Sequence, residues 1–264
     1  MSEHSQLSAN DHDQEIEVQM NAISQAIIDV QNKREPTTNL FTLYTYTYQM
    51  CIKDFGPYLY QRIGELILTH LREKVCPAVV ALPQTEFLAG VLAQYNDHLL
   101  VSRWVSQFAL YLDGRIASQN ETQWHAYVST TSELCNDLFV NAVLADGHVK
   151  EHLTFVMLET VNADRHGNAV DWLILQNICQ MLIACGNGSR EFYYDVFEYH
   201  FLLDAVHNFY IHTDGYLADD YLRRVEEQLH EEEERAMRFL DDTTLANLGD
   251  ILYSLVQWEG GDFY

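Results

Sequence analysis

The residues whose type and spacing come nearest to a reactive site are His148, Glu151 and His152, in the run His148-Val149-Lys150-Glu151-His152. Two histidines four apart share one face of a helix, and a glutamate between them can serve as base to a metal-bound water. That is the pattern of an inverted zinc protease, H-x-x-E-H. The chemistry also needs a third ligand from a later helix and a strand to hold the substrate. No strand pattern occurs, so the run reads as the solvated start of a helix, with a zinc-dependent hydrolase as the alternative. Gly186-Asn187-Gly188-Ser189 lacks the lysine and the preceding strand of a phosphate loop, and reads as a helix stop followed by a cap from Ser189. Asp214-Gly215 with Asp219 and Asp220 lacks the ligand spacing and closing glutamate of a calcium loop, so it reads as a turn and a cap. No Ser/His/Asp or Cys/His constellation forms. The chain is therefore expected not to be an enzyme, with no catalytic residue, no metal and no cofactor.

The elements that would position any site are helices throughout. Val18, Met20, Ile23, Ala26, Ile27 and Val30 recur at helical spacing from about Glu15. Pro36 ends that helix, and Thr37 or Thr38 can cap the next, from about Thr38 to Lys53. A third helix is expected over Tyr58 to about Val75, a fourth over about Gln84 to His98, and a fifth over about Leu99 to Ala117. After Ser118-Gln119-Asn120 the pattern restarts. Trp124, Tyr127, Leu134, Leu138 and Phe139 mark one helix, followed by His148 to Val161, Val170 to Ala184, Phe192 to His212 and Ala218 to Asp241. A last helix spans about Leu245 to Trp258. The count of five, then five, then one predicts an all-α stack of two helical repeats and the start of a third. The boundaries are a disordered segment over 1–14, repeats over 15–119 and 120–242, and the remainder over 243–264. Such repeats bury their faces only on their neighbours and build elongated stalks.

Charge and cysteine usage exclude several classes of function. The 264 residues hold 39 Asp and Glu against 15 Lys and Arg, a net charge of −24. That field repels a phosphate polymer, so nucleic acid is not an expected partner. Five scattered cysteines without a CxxC pair point to a reducing compartment. The polar, acidic start lacks the apolar stretch of a signal peptide, and Trp172 to Cys185 is too short to span a bilayer, so no membrane is expected. The acidic run Glu231–Glu234 reads as a solvated helix face, with Arg235 and Arg238 available for local pairs.

Two helices are apolar on more sides than a surface helix needs. On the second, Leu43, Thr47, Met50 and Cys51 form one stripe, and Phe41, Tyr44 and Tyr48 a second at i, i+3, i+7, extended by Leu40 and Tyr46. On the fifth, Trp104, Phe108 and Tyr111 lie on one side and Val105, Ala109, Leu112 and Ile116 on the next. Either these helices are buried all round, or each turns one side to the core and one to a protein partner. Tyrosine suits the second role, because it buries area and keeps a hydrogen bond.

At these helices a family resemblance appears. Leu43-Tyr44-Thr45-Tyr46-Thr47-Tyr48 and Leu59-Tyr60-Gln61-Arg62 resemble the start of the cullin N-terminal domain. Tyr193-Tyr194-Asp195-Val196-Phe197-Glu198-Tyr199-His200-Phe201-Leu202, then Phe209-Tyr210, Tyr221 to Leu229 and Glu231 to Leu240, follow the cullin order and spacing. The likeness runs to the cullin-3 class, which binds BTB-domain adaptors; Leu43-Tyr44-Thr45 leans to the class served by F-box adaptors. Cullins are scaffolds of ubiquitin ligases, found in cytoplasm and nucleus, and their N-terminal domain is a stalk of five-helix repeats. The resemblance implies that a BTB-domain adaptor, or alternatively an F-box-type adaptor, docks on the second and fifth helices of the first repeat. Leu40, Phe41, Tyr44 and Tyr48 would face it from the second helix, and Tyr111, Leu112, Arg115 and Ile116 from the fifth. The family's C-terminal domain, which recruits the RING subunit and carries the neddylated lysine, is not matched. This chain alone is thus expected not to bind the RING subunit, and to act either as a scaffold module or as a competitor for adaptors.

Overall fold

Turn chemistry sets the helix boundaries. The computed structural model describes residues 3–118, 128–213 and 218–260. Helix α1 (Glu3–Gln31) starts well before Glu15, because no proline or glycine interrupts the run from Glu3 onward. The expected disordered segment thus gives way to helix from Glu3. Helix α2 (Leu40–Ile52) is capped by Asn39, whose side chain accepts from the Thr42 N–H at 2.9 Å, and not by Thr37 or Thr38. Helix α3 (Gly56–His70) begins with proline in its first turn. A π-turn (Leu71–Val75) carries it into α4 (Cys76–Val80), and a short 3₁₀ turn leads to α5 (Phe87–Phe108).

Helix α6 (Leu110–Ala117) follows a bend at Ala109. The boundary expected between His98 and Leu99 does not exist: no breaker stands there, and α5 runs through it. Helix α7 (Thr131–Phe139) opens with a capping box in which Thr130 and Glu133 satisfy each other's backbone N–H. Trp124 and Tyr127, expected on that helix, lie outside the described residues. A second π-turn (Val140–Leu144) leads to α8 (Gly147–Arg165). Helix α9 (Trp172–Cys185) stops at Gly186, where a Cβ would lie 1.9 Å from the Ser189 carbonyl oxygen. Ser189 then accepts from the Glu191 N–H, as expected of a cap. The short α10 (Glu191–Tyr193), a third π-turn (Tyr194–Glu198), α11 (Tyr199–Thr213), α12 (Ala218–Ala236) and α13 (Asp242–Gly260) complete the described chain. Asp214-Gly215 lies outside the described residues.

Helices are the only regular elements among the described residues, as the sequence requires. Each π-turn is closed by one i→i+5 hydrogen bond, Cys76 N–H to Leu71, Ala145 N–H to Val140, and Tyr199 N–H to Tyr194. Packing divides the chain into two compact units, Met1–Leu82 with Ala93–Asp146, and Pro83–Leu92 with Gly147–Tyr264. Helix α7 packs on α3 and belongs to the first unit.

The first unit buries Ile23 and Ile27 of α1, Leu43 and Met50 of α2, and Leu59, Ile63 and Ile67 of α3. Phe139 of α7 lies against Tyr95 and stacks on His98, with ring centroids 5.0 Å apart in the second case. His98 is 5% exposed and its Nε2–H donates to the Cys135 carbonyl at 2.9 Å. Burial lowers its pKa to about 4, although that hydrogen bond works to raise it. The unfolded chain therefore takes up a proton here below pH 6.5 that the folded chain refuses until near pH 4. Stability is expected to hold above pH 6.5 and to have fallen by about 2 kcal/mol at pH 5 from this residue. Urea unfolding across that range should show a shallower pH slope in His98→Gln than in the parent. An equal slope in both would remove His98 from the account.

The second unit is built on aromatics: Phe197, Phe201 and Phe239 are fully buried, and Trp172 stacks on Phe239 at 5.2 Å. Five free cysteines contribute to the two units, all but Cys76 buried, and burial pushes the Cys135 thiol up to about 12. No single described helix is long and apolar enough to cross a membrane.

Candidate protein-docking face

Helix α2 carries no charged residue, in a chain of net charge −24. Its inner stripe is the expected one: Leu43, Thr47, Met50 and Cys51 are buried, and the helix packs on α1, α3 and α6. The outer side is open. Phe41 is 78% exposed and Tyr48 42%, so α2 is not buried all round. Leu40, Tyr44 and Tyr46 are half-buried. Ile52, 53% exposed, joins Phe41 and Tyr48 within about 40° of one another on a helix that turns 100° per residue. The sequence reading passed over Ile52, although its spacing of four from Tyr48 marks the same stripe.

The second wall comes from α6. Its Tyr111 ring meets Tyr48 edge-on, with centroids 4.7 Å apart and planes at 68°, a favoured aromatic geometry. Leu110, another residue that the sequence reading left out, is 65% exposed at the start of that helix. Arg115 is half-buried. Leu112 and Ile116 do not belong to the face: they are 0% and 6% exposed, because they point to the core from the opposite side of α6. Their inclusion among the docking residues is thereby corrected.

Helix α6 is held in place from behind. The Asp113 carboxylate accepts from both the N–H and the hydroxyl of Thr131, each at 2.8 Å, which fastens α6 to the start of α7. Burial raises the Asp113 pKa, more than these hydrogen bonds lower it. Behind α2 lies one flaw. The Thr47 hydroxyl is buried and meets no hydrogen-bond partner among the described residues. Thr47→Val keeps the shape and removes an unsatisfied group, so it is expected to stabilise the chain by about 1 kcal/mol in urea unfolding.

His148 and Glu151 are exposed on α8, and His152 is half-buried. The His152 ring packs edge-on against Phe87 at 4.4 Å and near Phe155. Among the described residues, no group of three or more His, Cys, Asp or Glu is arranged to hold a metal ion.

The acidic run on α12 keeps Glu231 and Glu234 exposed, as a solvated face requires, with one exception. Glu232 turns inward, 9% exposed, and pairs with Arg165 and Arg235. Arg165 also pairs with Asp204, and Arg235 reaches Asp164 at 2.8 Å. Desolvation works to lower the Arg165 pKa, but Glu232 and Asp204 prevail and raise it.

Comparison with known proteins yields one family match, the Cullin α-solenoid domain, over residues 20–258. Cullin-3 of Caenorhabditis elegans is 26% identical over 235 residues, which are 87% of this chain and 30% of that protein. Cullin-3 of Dictyostelium discoideum is 26% identical over 213 residues, 79% of this chain and 27% of that protein. Cullin-like protein 3 of Arabidopsis thaliana is 22% identical over 236 residues, 87% of this chain and 89% of its own length. The chain thus spans less than a third of the two Cullin-3 relatives.

Proposed function

We propose, for a chain that belongs to the cullin family, that it is the adaptor-docking part of a ubiquitin-ligase scaffold. The partner is a BTB-domain adaptor, and the docking surface is the outer face of α2 with Tyr111 of α6. One observation carries this reading: Phe41 and Tyr48 stand exposed on an uncharged helix, with Tyr48 braced by Tyr111. Large aromatics that are already held in place lose little freedom on binding and supply most of the energy at interface centres. The similarity to Cullin-3 of two organisms supports a BTB-domain adaptor over an F-box-type one.

The direct experiment is to mix the full chain with a panel of BTB-domain and F-box-type adaptors and follow complex formation on a sizing column. Co-elution with a BTB-domain adaptor is expected. Co-elution with F-box-type adaptors alone reassigns the partner, and elution of every adaptor at its free position removes the proposal. These 264 residues, added on their own, compete for an adaptor with the scaffold of an assembled ligase. Adding these 264 residues in excess to an adaptor-dependent ubiquitination reaction is therefore expected to lower the rate towards that of the adaptor-free control. An unchanged rate at saturating chain counts against it.

A further inference from the structure

The second unit carries a trough that the docking face does not use. It is bounded by the first turns of α5, one side of α8 and the start of α9, and holds about 410 Å³. Val156, Glu159 and Ala163 line it at i, i+3 and i+7, a single stripe along two turns of α8. Leu88 and Val156 keep only 8% and 7% of their surface exposed and supply apolar lining. Ala89 and Ala163 add depth because they reach so little way into it. The only charged residues in the lining are Glu159 and Asp171, both acidic. One oxygen of Asp171 is already committed to the N–H groups of Leu173 and Ile174 at the start of α9.

We propose that this trough docks a short amphipathic helix of a partner protein, with an aliphatic stripe towards the trough and Lys or Arg along its edges. The length of the α8 stripe matches about two turns of helix, roughly 11 Å. An aliphatic stripe replaces water over the exposed Ala89 and the half-buried Val170 and Ile174, the usual basis of helix-in-groove recognition. Charge selects among occupants. The rim offers carboxylates and no base, and the whole chain is at −24, so basic edges are drawn in and acidic ones repelled. A second copy of this acidic chain is the poorest match on the same ground. The proposal stands apart from adaptor docking, which uses residues of the other unit.

The test uses the full chain and a fluorescein-labelled helical peptide of about 14 residues. The peptide carries Leu at i, i+3 and i+7 and Lys along both edges. Fluorescence polarisation is read in roughly 150 mM salt, where long-range attraction is screened. Saturable binding is expected, weakened about tenfold or more when the peptide Leu residues become Ala with the charge kept. Changing the edge Lys to Glu should weaken it at least as much. Ala163→Trp, which fills the trough from α8, should weaken it about tenfold with the melting temperature unchanged. Ala89→Trp fills it from α5 and serves if the first variant is unstable. Glu159→Gln should weaken binding a few-fold.

Absence of binding up to roughly 100 µM peptide overturns the proposal. So does binding indifferent to the peptide Leu residues or to both filled variants, which would be adhesion to an acidic surface. A dimer of the free chain in sedimentation that Ala163→Trp abolishes assigns the trough to a second copy and likewise overturns it.

Discussion

Arg165→Met is expected to destabilise the chain by about 3–5 kcal/mol. The guanidinium is 7% exposed and joins Asp204 of α11 to Glu232 of α12. Methionine fills similar space but takes the cation from Asp204 and leaves Glu232, 9% exposed, with Arg235 as its remaining partner. Removing one member of a buried ionic cluster costs far more than the cluster contributes, because the remaining charge stays desolvated. Urea unfolding followed by circular dichroism measures the loss directly. A melting temperature lower by on the order of 10 °C should accompany it. Adding Glu232→Leu and Asp204→Asn to the same chain should recover much of the stability, since it removes the stranded charges. A loss below about 1 kcal/mol in the single variant would mean that water reaches the cluster and screens it.

The second large effect separates core from docking face on one helix. Leu43 is wholly buried, and Leu43→Ala is expected to cost about 2–5 kcal/mol of stability. Phe41, two residues earlier and 78% exposed, should shift stability by under about 0.5 kcal/mol when changed to alanine. Adaptor binding should respond in the opposite order. Phe41→Ala removes an aromatic anchor worth about 2 kcal/mol at an interface centre, roughly a thirtyfold loss of affinity. Leu43→Ala should leave affinity near the parent value for whatever fraction remains folded. Calorimetric titration with a BTB-domain adaptor and thermal melting of both variants decide the matter. An early-melting Phe41→Ala that binds normally would make Phe41 a packing residue. Tyr44 is less informative, because it is half-buried and its truncation touches both quantities.

The helices were legible wherever a local feature stops the chain. Gly186 and Ser189 mark ends that the structure reproduces closely, because each acts through its own backbone or side chain. Helix α1 instead stops at Gln31, ahead of Pro36, where Lys33 turns left-handed at φ 58°. The end of α5 was not legible. Its bend at Ala109 follows an unremarkable Phe108-Ala109-Leu110, so the bend is set by packing. The inner stripe of α2 could be read in full from spacing, whereas on α6 spacing separated two sides without telling which of them faces out. Tyr111 and Leu112 are adjacent and both apolar, and which of them faces out follows from packing on α2 and the fastening of Asp113 to Thr131, neither of them local. Glu232 was hidden for a related reason. Within four consecutive glutamates nothing local distinguishes the one that meets Arg165, a residue 67 positions away.

The three π-turns bear on how this chain would be aligned with distant kin. An i→i+5 link spans one residue more than an α-helical turn between the same flanking helices. The extra residue is absorbed locally, so a helix on either side keeps its register with its neighbours. A lineage could therefore gain or lose a single residue at Leu71–Val75, Val140–Leu144 or Tyr194–Glu198 while every buried stripe stays where it is. Sequence comparison would record such an event as a gap in mid-helix, where gaps are least welcome, and would understate kinship between two chains whose cores superpose residue for residue.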